Sequence, residues 1–97
     1  MVFVYVQHFL DEEGRRYFPT WLRETADVLR TFEGFVSIEQ LKHVEEPEGC
    51  SLGLRFTSLD LLRVWSRSRE HDALITKLGP YRYQKQRSQV FEVGEPL

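Results

Sequence analysis

The sequence is short of most devices that staple a small protein together. It has one cysteine, Cys50, among 97 residues, which excludes an internal disulfide and leaves a structural zinc site without its usual ligand set. Its longest uninterrupted apolar run, Met1 to Val6, is far too short to cross a bilayer as a helix, and nothing at the start reads as a secretory leader. A cytoplasmic protein is therefore expected. With six glycines and four prolines the chain has neither low-complexity nor collagen-like composition, and no glycine-rich phosphate loop, nucleophile-elbow motif or internal repeat occurs. His8, His43 and His71 lack metal-ligand spacing. A formal net charge of −2 supplies no field for phosphate backbones or anionic membranes, so neither nucleic acid nor membrane is an expected partner.

What is present is ordinary globular composition, 41% hydrophobic and 29% charged, in a length that suits one domain over residues 1–97. Stability must then come from packing, within the chain or across subunits. Charge is uneven: residues 58–87 carry seven basic and three acidic side chains. Such a stretch reads either as a rim that favours an anionic ligand or as a solvated arginine-bearing helix face.

Val2, Val4 and Val6 alternate with Phe3, Tyr5 and Gln7, a period of two that predicts a strand with both faces at least partly covered. Acids at Asp11, Glu12 and Glu13 suit the start of a helix running to about Glu33, whose stripe is Phe18, Leu22, Thr25, Leu29 and Phe32, widened by Trp21 and Val28. Pro19 is expected near its first turn, or else at a kink. Gly34 is placed to take a left-handed conformation after the helix. Phe35 to Val44 and Cys50 to Thr57 read as two strands joined by the loop chemistry of Glu45-Glu46-Pro47-Glu48-Gly49. Thr57 or Ser58 can cap a helix bearing Leu59, Leu62 and Trp65, which Ser66 or Ser68 interrupts. A second helical piece from Arg69 ends at Gly79-Pro80, before a last strand near Lys85 to Val93.

The order strand, helix, strand, strand, helix, strand is the split βαβ arrangement of ferredoxin-like α+β domains, with an antiparallel sheet covered on one face by helices. The first strand is aromatic or apolar on both sides, so the other face needs a cover. A second copy of the chain is the simplest one, giving a homodimer with a cavity in or beside each subunit.

Several segments carry a family likeness: Val2 to His8, Thr31-Phe32-Glu33-Gly34-Phe35, Leu54-Arg55-Phe56-Thr57-Ser58-Leu59-Asp60, and Val64-Trp65-Ser66-Arg67-Ser68-Arg69-Glu70-His71. In this order and spacing the chain resembles, over nearly its whole length, the antibiotic biosynthesis monooxygenase domain, whose members form a dimeric α+β barrel. The resemblance implies oxidation of a small aromatic or quinol-like substrate by dioxygen with no metal or flavin cofactor. It also admits a non-catalytic binding or stress-associated protein of the same fold, or a haem-binding one. Haem-degrading relatives carry an iron-ligating histidine ten residues after a tryptophan matching Trp65, and here that residue is Ile75. His71 is left as a candidate for a differently seated iron.

By the family pattern Trp65 lines a pocket between its helix and the sheet, whereas its own periodicity equally suits a core tryptophan. His71, if Ser68 caps the second helical piece, lies in a first turn that disfavours the imidazolium and leaves a neutral, proton-accepting ring; otherwise it is a surface or capping residue. Gln7 shares strand parity with Phe3 and Tyr5, which places one amide among aromatics inside the barrel and in need of a hydrogen-bond partner. Arg55, Tyr81, Arg82, Tyr83 and Arg87 are candidate donors toward a phenolate or carboxylate, or else partners in ordinary surface pairs.

Overall fold

The computed structural model describes residues 1–97. Its elements run β1 (Val2–Leu10), α1 (Glu12–Leu29), β2 (Phe35–Leu41), β3 (Cys50–Phe56), α2 (Leu59–Ser66), α3 (Arg69–Leu78), a single 3₁₀ turn (Gly79–Tyr81) and β4 (Arg82–Glu92). The four strands form one antiparallel sheet in the order β2-β3-β1-β4. This is the expected ferredoxin-like α+β arrangement, with the second helix divided in two.

Local chemistry sets the boundaries. Asp11 caps α1 by accepting a hydrogen bond from the Gly14 N–H at 2.8 Å, and Glu12 and Glu13 occupy the positive first turn. The helix therefore begins before Gly14, and Pro19 lies inside it rather than in its first turn, so the Arg15 carbonyl loses its usual donor. It also stops at Leu29, short of Glu33, and a run of turns carries the chain to Gly34, whose φ of 86° is the left-handed conformation expected there. Ser58 caps α2 and Ser68 caps α3, the latter accepting from the His71 backbone N–H at 3.1 Å. Of the strands, β2 ends at Leu41 with Val44 fully in solvent, and β4 begins three residues earlier than expected, at Arg82.

The helices lie on the face of the sheet that carries Val2, Val4, Leu52, Leu54 and Phe56, and there the core forms against Phe18, Trp21, Leu22 and Leu29 of α1. Register explains the partition: Val4 pairs with Leu54 and Val6 with Leu52, so the even-numbered residues of β1 share a face with the leucines of β3. Each such side chain removed from water contributes roughly 1.5–3 kcal/mol. Trp21 satisfies its indole N–H on the Leu74 carbonyl at 2.8 Å, which ties α1 to α3, and Lys77 reaches Glu24 at 2.6 Å across the same pair of helices.

The opposite face holds Phe3, Tyr5, Gln7 and Phe9 from β1 beside Phe91 and Arg87 of β4. Phe3 stacks near Phe91 with centroids 6.4 Å apart and crosses Gly53, where a Cβ would come within 2.8 Å of its ring. No helix covers this face, and Tyr83 and Phe91 on it are 69% and 48% exposed.

Candidate functional site

Between the helices and the sheet lies a cavity of about 720 Å³, within the range of small-molecule sites. Its walls are apolar: valines of β1, Leu52 and Leu54 of β3, and Trp21, Leu29, Trp65 and Leu74 from the helices. Its buried end lies against β1 and α1, and solvent-exposed Arg63 and Ser66 of α2 and Ser88 and Glu92 of β4 line its open part. The opening along β4 follows from topology, because β4 is an edge strand that α2 and α3 do not close over.

Trp65 and His71 are brought together here. Trp65 is nearly buried, and its ring meets His71 edge-on at 5.3 Å and Phe32 edge-on at 5.0 Å. The break between α2 and α3 creates this pairing, since the Ser68 cap turns α3 so that its first turn sets His71 against the indole. Burial lowers the His71 pKa below the ordinary imidazole value, while the Asp72 carboxylate, 3.7 Å from Nδ1, pulls the other way. The ring is therefore neutral at neutral pH.

Gln7, Phe3 and Tyr5 do not join them. Parity groups these three residues correctly and places the amide among aromatics, but on the opposite side of the sheet, where the Tyr5 hydroxyl meets Ser51 Oγ at 3.3 Å. Arg55 lies on that side too, paired with Glu39 and with its guanidinium 4.9 Å over the Phe3 ring. Arg87 sits 5.7 Å over the Phe9 ring. Tyr81 packs on Tyr17 of α1 at 5.8 Å, and Tyr83, edge-on to Phe9, is in solvent. None of these side chains lines the cavity. For the β1 residues the placement has one cause: valines and aromatics alternate on β1, both faces look buried in the sequence, and only pairing with Leu52, Leu54 and Phe56 decides which meets the helices.

The residue that parity could have revealed is His8. It continues the Val2, Val4, Val6 series, lines the cavity and is only 3% exposed. Its ring lies edge-on to Trp21 at 5.3 Å and 6.0 Å from Phe18. Burial first, then Arg82 and His71, push its pKa down to about 4. Nδ1 of His8 and Nδ1 of His71 are the two buried side-chain polar atoms with no hydrogen-bond partner. Arg82 is thus close enough to act on His8, and it donates to Gln86 Oε1 at 2.7 Å, a side chain that also lines the cavity. No group of three His, Cys, Asp or Glu side chains is placed to hold a metal ion, and Ile75 presents only carbon to the cavity.

The arrangement can enclose a flat apolar molecule, offer it two uncharged imidazoles and exclude bulk water from its buried end.

No family model and no curated protein matches the chain. Solved structures do. A Deinococcus radiodurans protein assigned as an antibiotic biosynthesis monooxygenase superposes with a TM-score of 0.86 at 14% identity, over 100% of this chain and 96% of its own. SnoaB, a cofactor-independent oxygenase from Streptomyces nogalater, gives 0.78 at 17% identity, over 99% and 96%. A Mycobacterium tuberculosis protein gives 0.82 at 15%, over 98% and 96%. The element order, the sheet and near-complete mutual coverage together establish that this chain has the fold of the antibiotic biosynthesis monooxygenases.

Proposed function

We propose that the protein is a cofactor-independent monooxygenase of the antibiotic biosynthesis type, acting with dioxygen on a small aromatic or quinol-like substrate, and that it works as a homodimer. The observation that carries this reading is the apolar cavity in which a tryptophan and a neutral histidine meet edge to edge. An oxygenase that uses the substrate as its own reductant needs such a place, where a phenol or anthrone loses a proton and the resulting anion is held apart from water.

The roles follow from the geometry. Trp65 forms the wall on which an aromatic ring packs. His71 accepts the proton; the Asp72 carboxylate near Nδ1 favours N–H at that atom and leaves the Nε2 lone pair as the base. For an anthrone, the deprotonated carbon gives one electron to dioxygen, and the carbon radical and superoxide then combine as a hydroperoxide anion. Protonation from the imidazolium and loss of water leave the quinone, so one O₂ is consumed and one water released per substrate. No external reductant is required.

The homodimer accounts for the uncovered sheet face. Phe3, Tyr5, Phe9 and Phe91 form a contiguous aromatic surface of the kind that monomers rarely leave in water, and a copy related by a two-fold axis would cover it. A purely structural relative would fill its interior with its own aromatic side chains, whereas this interior holds about 720 Å³ of open space.

The test is oxygen consumption by metal- and flavin-free protein supplied with a panel of hydroquinones and anthrones. Uptake of one O₂ per anthrone, lost in His71→Gln, is the expected result. No uptake by a folded protein over the whole panel would overturn the proposal.

A further inference from the structure

The buried end of the cavity is built around His8 in a way the fold alone does not require. On β4, Gln84 pairs with Phe9 and Arg87 with Gln7, so two residues, Lys85 and Gln86, stand opposite the single residue His8. This is a β-bulge, a device that re-aims side chains and recurs beside binding sites. It interrupts the β1–β4 ladder at the one histidine of the strand, beside Gln86, which continues the Glu92, Val90 and Ser88 series on the cavity wall.

The ring itself is unsatisfied. His8 makes no side-chain hydrogen bond within the chain, and its Nδ1 is wholly buried without a partner beside the Phe18 and Trp21 rings. A neutral imidazole carries one N–H and one lone pair. Burying an orphaned N–H is the rarer condition, so the bare lone pair belongs on Nδ1 and the proton on Nε2, the nitrogen left to open on the cavity. An acceptor therefore has to come from the ligand. Glu92, the acid of the lining, pairs with Val2 six residues along β1, about 20 Å from His8 at strand rise, so no carboxylate competes for that donor. Arg82 lies near the same end, which disfavours a cationic ligand.

We propose that His8 is the ligand anchor of this cavity: Nε2–H donates to an oxygen of an uncharged planar aromatic ketone or phenol lying between His8 and the Trp65 wall. This deepens the substrate-site reading above and rests on it. It divides the work of the two histidines, with His8 holding an oxygen by donation and His71 taking a proton. As the substrate becomes an anion, the bond from Nε2–H becomes charge-assisted and strengthens, so the anchor favours the ionised state over the ground state. His8 is thus a positioning and charge-stabilising group whose own protonation state does not change.

The experiment measures binding without turnover, using the fluorescence of Trp21 and Trp65, both of which line the cavity. The probes are 1-tetralone, which has one acceptor oxygen and no donor, and tetralin, which has neither. Wild-type protein should bind tetralone more tightly than tetralin by roughly 2- to 10-fold, the worth of one neutral hydrogen bond. His8→Leu should abolish that preference, and His8→Gln, whose amide N–H reaches the same position, should keep it. In parallel, ¹⁵N NMR of the wild-type protein reads the tautomer directly and does not depend on any variant folding; the Nε2–H form is expected. A His8 ring protonated at Nδ1, or a tetralone preference that survives in His8→Leu, overturns the proposal. Selective tetralone binding without oxygen uptake from any quinol supports the anchor and overturns the oxygenase reading; uptake without the preference does the reverse.

Discussion

Acid should unfold this protein in a way that one side chain controls. In the folded chain His8 stays neutral down to about pH 4, because burial, the Arg82 guanidinium and His71 all disfavour its cation, whereas the ordinary imidazole value is 6.5. Between those values the unfolded chain binds the proton and the folded chain does not, so stability falls as pH falls. The loss sets in below the unfolded value, reaches ~2 kcal/mol near pH 5, and levels off below about pH 4 at ~3 kcal/mol, because each pH unit between the two values costs about 1.4 kcal/mol. That is a large part of the 5–15 kcal/mol typical of a domain. Burial lowers the His71 pKa in the same direction, so wild type must be compared with a variant that removes only His8. Urea denaturation at intervals from about pH 7.5 to about pH 4.5 should give a wild-type stability that drops more steeply than that of His8→Gln, with the two curves converging toward acid. Parallel curves would show that His8 is not held neutral by its surroundings, and the reasoning would fail.

Other outcomes are expected. Phe91→Asp places a charge on the uncovered aromatic face, at an already exposed position, and should convert a dimer into a monomer by sedimentation equilibrium with little change in circular dichroism; an unchanged assembly would place the interface elsewhere. Gly14→Ala puts a Cβ 2.5 Å from Tyr81 Cβ and 2.9 Å from Leu10 Cβ, so despite the better helix propensity of alanine a net loss of roughly 1–3 kcal/mol should appear in denaturation midpoints. Trp21→Phe removes the indole donor from the Leu74 carbonyl, which keeps its own helical partner within α3, so the loss of this one hydrogen bond should cost about 0.5–1.5 kcal/mol in the same assay.

The sequence by itself determined the elements and their order. Polar caps at Asp11, Ser58 and Ser68, a glycine at the one position with positive φ, and leucines alternating with small or polar residues on β3 are local signals, and local backbone chemistry answers to them. It also singled out Trp65 and His71, whose meeting needs only a short helix break capped by Ser68. What the tertiary structure decided was the face. A period of two remains the same pattern when the two sides of a strand are exchanged, and on β1 valines and aromatics are both apolar enough for either. Pairing of Val4 with Leu54 sent the valines toward α1 and carried His8 with them, leaving Gln7, Phe3 and Tyr5 on the far side. The bulge opposite His8 was equally illegible, because it is a mismatch in count between two strands that are about 75 residues apart in the chain and meet only once the sheet has formed.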